Sequence, residues 1–320
     1  MERLDVPIDH LERFERALDP AHPERCPVPV EILGYGEMST VLAFDAPGTR
    51  DYAFKRMALF RTSVELDAYE HLFVRYNVAL AAFGLNLPGY GVHRVQSAEQ
   101  TVLYLSQRRL PAASMGHNAI RLLPAEDAVR LLRRVLREVA PIFRHNAEAG
   151  PDGAQLGIDL QISNWAIEGF DPSRPRFVGD ERLVFIDTNT PLMRDHGQDD
   201  LDPELFLRIC PTWLVWIIEI FFLDQVLERY YDLREVTRDL LANLIKERRQ
   251  DLIPQALSAV NAMLAEHGSE PLTEAEVRAY YREDAWIWRV FLTLRRIEQL
   301  TRTRLQGRRY NIILPGPIKR

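Results

Sequence analysis

A chain of 320 residues, 47% hydrophobic and 27% charged, has enough apolar material for a sizeable core, in one two-lobed domain or two small ones. Its net charge of −6 argues against nucleic acid as a partner of the whole surface, and the longest apolar run, Trp213 to Leu223, is too short for a membrane span and carries Glu219, so no membrane partner is expected. Two cysteines without paired spacing, Cys26 and Cys210, scattered histidines and no secretory stretch after Met1 make a reducing cytoplasm the expected setting, without disulfides or a transition-metal site.

The first 27 residues read as a helical appendage. Asp9 is placed to cap a short helix with Leu11, Phe14 and Leu18 on one face, and Pro20, Pro23 and Pro27 follow it. From Val28 the pattern turns to strands: VPVEIL, STVLAFDA, a Pro47-Gly48 turn, then YAFKRM, most simply an antiparallel meander. A helix is predicted over Ser63 to Ala82, with Val64, Ala68, Leu72, Tyr76 and Leu80 as its stripe and Gly84 as its stop. Two further strands, Gly91 to Val95 and Thr101 to Leu105, flank a turn, and residues 28–108 thus form one α+β unit of five strands and one helix.

Residues 109–320 read as mainly helical. Ala125 to Ala147 has a buried stripe of Leu131, Leu132, Val135, Val139 and Phe143. Helices are also predicted from Pro203, with Asp202 as cap, over Thr212 to Tyr231, Leu233 to Arg249, Pro254 to His267, and Thr273 to Leu305, the last opened by a Thr273/Glu276 capping box. Between the first helix and these lies LGIDLQISN, followed by an apolar run ending Phe185-Ile186-Asp187. Asp159, Asn164 and Asp187 bring three oxygen-bearing side chains from two neighbouring segments. A phosphoryl-transfer site needs this set: one carboxylate by the acceptor hydroxyl, and a carboxylate with an amide oxygen for hard cations.

In element order and motifs the chain resembles the protein-kinase-like superfamily, especially small-molecule kinases of the aminoglycoside phosphotransferase and choline-kinase type, from about residue 30 to 195. Gly34-Tyr35-Gly36-Glu37-Met38-Ser39-Thr40-Val41 is similar to G-x-G-x-x-G-x-V, with Ser39 in place of the third glycine. Lys55 in YAFK looks like the lysine of V-A-I-K, and Asp159-Leu160-Gln161-Ile162-Ser163-Asn164 matches D-L-x-x-x-N. The resemblance implies a two-lobed fold that binds ATP and Mg²⁺. Gly34, Gly36, Ser39, Val41 and Gln161 would lie against the nucleotide, and Lys55 would meet its phosphates, oriented by Glu70 or, as second choice, Glu65. Asn164 and Asp187 would hold Mg²⁺, and Asp159 would accept the proton of a small-molecule hydroxyl.

Three departures separate this chain from the pattern. Gly157-Ile158 stand where a His or Arg commonly precedes the catalytic Asp, neutral Gln161 replaces a Lys or His, and the metal segment reads Asp187-Thr188-Asn189 without a later A-P-E. A small-molecule phosphotransferase therefore stands beside two alternatives: a pseudokinase-like nucleotide binder or scaffold with a protein partner, and a nucleotidyl transferase. The acidic loop Arg194 to Asp200 is a candidate acceptor region for a cationic substrate, or a solvated loop. Trp213, Trp216, Trp286 and Trp288 are candidates for pocket walls or core. The basic C-terminal end, from Arg295 to Arg320, is a solvated face or an anion-binding surface, with Ile312 to Ile318 as an extended strap.

Overall fold

The computed structural model describes residues 2–36, 38–97, 100–208, 227–305, 307 and 310–316. Strands β1 (Glu31–Tyr35), β2 (Thr40–Ala43), β3 (Tyr52–Met57), β4 (Tyr90–Gln96) and β5 (Thr101–Arg108) form one antiparallel sheet in the order β1-β2-β3-β5-β4. Helix α1 (Asp9–Ala17) precedes the sheet, and α2 (Ser63–Ala82) links β3 to β4. The two helices explain why this sheet is apolar on both faces. Along β5, Val102 and Tyr104 join the cluster of Leu11, Phe14 and Leu18 from α1, while Leu103 and Leu105 join that of Leu66, Tyr69 and Phe73 from α2.

The expected appendage is therefore the outer layer of the sheet. Its backbone extends the sheet edge, since Leu4 N–H donates to the Tyr90 carbonyl at 2.7 Å and Tyr90 N–H to that of Glu2 at 3.1 Å. Asp9 does not cap α1; Ile8 holds the cap position without a side-chain bond, so burial of Leu11, Phe14 and Leu18 carries the helix. The helix also buries Glu15 completely, against Arg56 Nε of β3 at 2.5 Å and the hydroxyl of Tyr104. Arg56 Nη1 in turn donates to the Asn311 carbonyl at 2.7 Å, which ties the C-terminal strap to the same point.

Helix α2 has the predicted bounds and is capped by Thr62, whose side chain accepts from Glu65 N–H. Its buried face keeps Leu72, Tyr76 and Leu80 of the predicted stripe and departs from it in the first turns. Leu66, Tyr69, Phe73, Tyr76 and Leu80 face inward, whereas Val64 and Ala68 are exposed. A spacing of four overshoots the 3.6-residue turn and drifts around the helix, while the alternating three-and-four spacing stays on one side.

The second half is built from α3 (Gly116–Leu122), α4 (Ala125–Ala149), α5 (Glu204–Leu207), α6 (Leu233–Lys246), α7 (Ile253–Glu266) and α8 (Glu274–Leu300). The stripe of α4 is buried as predicted, and Thr273 and Glu276 form the capping box of α8. The helix predicted from Thr212, with Trp213 and Trp216, lies largely outside the described residues, as does Cys210. No helix among the described residues is long and apolar enough to cross a membrane. Between α4 and α5 run short strands: β6 (Gln155–Leu156), β7 (Trp165–Ile167), β8 (Leu183–Phe185), β9 (Met193–Asp195) and β10 (Gln198–Asp199). The β7–β8 hairpin pairs Trp165 with Phe185, both fully buried with ring centroids 5.2 Å apart, a rigid base for the residues at its ends.

Candidate functional site

Asp159 follows a stretch pinned by backbone. Gly157 N–H donates to the Leu192 carbonyl at 2.9 Å, Ile158 N–H to that of Tyr230 at 3.0 Å, and Tyr76 of α2 donates its hydroxyl to the Gly157 carbonyl at 2.8 Å. A Cβ at position 157 would come within 2.9 Å of Leu192 Cβ and 3.2 Å of Tyr231 Cε1. Packing thus excludes a large side chain where the family pattern has one. Asp159 Oδ1 accepts from Gln161 N–H at 3.1 Å, turning the chain into the single 3₁₀ turn Ile162–Asn164. Asn164 donates its side-chain amide to the Asp159 carbonyl at 3.2 Å, and its own carbonyl accepts from Ile186 N–H at 2.9 Å. The β7–β8 ladder therefore sets Asn164 and Asp187 side by side, although 23 positions separate them in sequence.

Across the cleft, Lys55 of β3 reaches the same point. Its Nζ lies 2.6 Å from Asp187 Oδ1, 2.6 Å from Asn189 Oδ1 and 3.1 Å from the Ile186 carbonyl. Gly34, Gly36, Ser39 and Val41 form the roof of a cleft of about 1000 Å³ whose floor carries Asp159, Gln161, Asn164 and Asp187. A Cβ on Gly34 would meet nothing within 4 Å, so no contact within the chain demands glycine there. Glycine at that point keeps the roof open to a close-lying ligand. Glu37 is outside the described residues. Ser39, in the place of a third glycine, is buried, and its carbonyl accepts from Gly36 N–H at 2.8 Å, closing the tip of the hairpin.

Glu70 does not meet Lys55. It pairs with Arg94 of β4 at 2.6 Å, beside an Arg94–Asp67 contact of the same length, and Glu65 pairs with Arg208 at 2.6 Å. The helical step is the reason: Tyr69 reaches Asn189 beside Lys55, and the next residue points about 100° away toward β4. The Arg194 to Asp200 loop is likewise no wall of the cleft. Arg194 bonds Gln155 and Glu228, Asp199 accepts from Tyr231, and Asp200 pairs with Arg75. Trp288 does line the cleft, together with Ile312 and Ile313 of the strap, whereas Trp286 is exposed. The basic end is no single solvated face: Arg295 is buried and Arg296 holds the carbonyls of Pro315 and Gly316.

Two cleft residues escaped the sequence reading. Asp239 and Asn243 stand four apart on α6, and Asn243 donates its amide to Gln161 Oε1 at 3.3 Å. Their signal was present: two polar residues at helical spacing interrupt the otherwise apolar Leu240, Leu241, Ala242 and Leu244. Burial and then the nearby Asp239 carboxylate push Asp159 up to about 7, with Asp187 adding to the effect and the Gln161 N–H and Arg229 opposing it. Burial also drives the hydroxyls of Tyr69 and Tyr76 well above the usual tyrosine range, so both stay protonated donors.

The donor set suits a hard cation shared with phosphates. Asn164 is oriented by the bond from its N–H₂, which turns its amide oxygen to the cleft, and Asp187 keeps its second carboxylate oxygen clear of the Lys55 bond. No group of three or more His, Cys, Asp or Glu side chains able to hold a metal occurs among the described residues, so a cation here would complete its shell with water and ligand oxygens, as Mg²⁺ commonly does.

An antiparallel five-stranded sheet with one linking helix and a mainly helical second half, with Lys55, Asp159 and Asp187 lining the cleft, give the two-lobed α+β arrangement expected from the sequence. The chain belongs to the family of unknown function DUF6206, whose model matches residues 20–302. No curated protein matches it. Solved structures similar to it include the GDP complex of a point mutant of aminoglycoside 2′-phosphotransferase-IIIa, at 14% identity and TM-score 0.35, covering 74% of this chain and 92% of that one. The GDP complex of the wild-type enzyme is similar at 13% identity and TM-score 0.34, covering 75% and 93%. A complex with GDP and kanamycin matches at 14% and 0.34, covering 74% and 93%. The likeness is distant, and the cleft has to be read from its own residues.

Proposed function

We propose that the cleft binds a nucleoside triphosphate with Mg²⁺ and transfers a phosphoryl group to the hydroxyl of a small molecule. The observation that carries this reading is the convergence of Lys55, Asn164 and Asp187 with Asp159 under the glycine-bearing hairpin. In it, Gly34, Gly36, Ser39 and Val41 cover the nucleotide, and the Lys55 ammonium neutralises phosphate charge. Asn164 and Asp187 hold the cation, which when bound supplies positive charge to the phosphate oxygens. Asp159, held near neutrality, accepts the proton of the attacking hydroxyl at physiological pH.

The test is turnover of ATP and GTP over a panel of hydroxylated metabolites, comparing the parent with Asp159→Ala and Asp187→Ala. Phosphorylated product from the parent and its loss in both variants are the expected results; equal product from all three refutes the reading. Product masses separate phosphoryl from nucleotidyl transfer.

A second reading, a nucleotide binder without transfer, is favoured by the neutral Gln161, whose amide oxygen is taken up by Asn243 and supplies no positive charge to a transferring group. Stabilisation by Mg-nucleotide without turnover is its signature, and a protein partner then becomes the expected outlet.

A further inference from the structure

In this chain the link between helix α2 and the cleft lysine is made without a glutamate. Both acidic residues that could have served are committed elsewhere, Glu70 to Arg94 and Glu65 to Arg208. What α2 sends toward Lys55 is Tyr69, which is 2% exposed and donates its hydroxyl to the Asn189 carbonyl at 2.6 Å. The same residue, Asn189, 6% exposed, offers its side-chain Oδ1 to Lys55 Nζ at 2.6 Å. Burial keeps the Tyr69 hydroxyl protonated, so it serves as a constant donor.

We propose that Asn189 is the positioning residue for Lys55, fixed in turn by Tyr69, and that this neutral relay takes the place of a helix carboxylate. The proposal rests on the reading of the cleft as a Mg-nucleotide site for its consequence, though not for its geometry. A carboxylate beside the lysine would compete with phosphate for the ammonium; an amide oxygen orients it and leaves its charge uncompensated. Among the described residues Asp187 is the one charged partner of Lys55, and a cation bound at Asp187 would compete with Lys55 for that carboxylate. Asn189 and the Ile186 carbonyl would then be the acceptors that still hold the lysine.

Lysine labelling tests the geometry independently of nucleotide. The chain has three lysines, Lys55, Lys246 and Lys319, so the labelled peptides are separable and exposed Lys246 serves as the internal reference. With an N-hydroxysuccinimide ester, N189A is expected to speed labelling of Lys55 by about tenfold or more, as for loss of one hydrogen bond to a charged group. N189D, which keeps an acceptor oxygen, retains the slow rate, Y69F gives an intermediate rate, and E70Q leaves it unchanged. A parallel titration with Mg-ATP is expected to show weaker binding in N189A by about tenfold and none of this loss in E70Q.

An unchanged Lys55 rate in N189A, or acceleration in E70Q instead, overturns the proposal. Accelerated labelling in N189A with no nucleotide binding by the parent upholds the positioning and refutes the proposed function alone. Circular dichroism separates these results from unfolding, and the rate of exposed Lys246 normalises for reagent.

Discussion

Asp159 gives the sharpest physical test of the cleft, because its carboxyl should make the folded protein less stable as pH rises. In the folded chain its pKa is raised from 3.8 to about 7, so the folded state holds a proton that the unfolded chain has already released. Its contribution to stability is complete below about pH 4, is lost as pH climbs toward about 7, and is a constant penalty above that. A difference of about three pH units sets a ceiling of about 4 kcal/mol. Sharing the charge with Asp239 and partial contact with water bring the expected penalty to about 2 kcal/mol. Asp159→Asn keeps the size and the oxygen that accepts from Gln161 N–H but cannot ionise. Urea unfolding of parent and variant in EDTA at pH 4.5, 6 and 8 should show the variant gaining on the parent with rising pH, to about 2 kcal/mol at pH 8. Asp239→Asn in the parent should recover part of the same penalty. A gap that does not vary with pH, or one that favours the parent at pH 8, would mean Asp159 is ionised in the folded cleft and would refute this electrostatic account.

Two further substitutions probe how the cleft is supported. Glu15→Ala leaves the buried Arg56 guanidinium without its counter-charge, and a loss of about 3–5 kcal/mol in unfolding free energy is expected; a loss under about 1 kcal/mol would show that Arg56 does not depend on Glu15 as its counter-charge. At Gly116 an added Cβ would lie 2.2 Å from the Ile162 carbonyl and 3.1 Å from that of Trp165. Gly116→Ala should therefore cost about 1–3 kcal/mol by pushing on the turn that carries Asn164, and Mg-dependent nucleotide binding should fall with it; unaltered stability counts against that close approach.

The parts of this structure legible in the sequence are those set by local pattern. The strand over YAFKRM, the stop of α2 at Gly84 and the capping box of α8 each depend on residues a few positions apart, and each was found where expected. The juxtaposition of Asp159, Asn164 and Asp187 was also legible, because a hairpin links them and its apolar strands are visible in the chain. What was not legible depends on rotation or on distance. Glu70 was expected beside Lys55 from the resemblance alone, and only the packed helix reveals Tyr69 as the inward residue. Asp239 bears on Asp159 across 80 positions, and no local rule connects them. Glu15 looks like any surface helix glutamate until Arg56 and Tyr104 are seen to enclose it.

The Arg56 guanidinium has one partner at residue 15 and another at residue 311, and it sits next in sequence to Lys55. During synthesis the sheet and α1 can assemble early, since their contacts lie within the first hundred or so residues. The Asn311 acceptor for Arg56 lies 255 positions further along the chain, and Lys55 waits more than a hundred residues for Asp187 and Asn189. Closing such long loops is slow relative to local folding. That wall of the cleft is thus expected to pass through a stage in which the Lys55 ammonium is exposed and unpaired, the period in which a nascent chain is most open to a chaperone or an anionic surface.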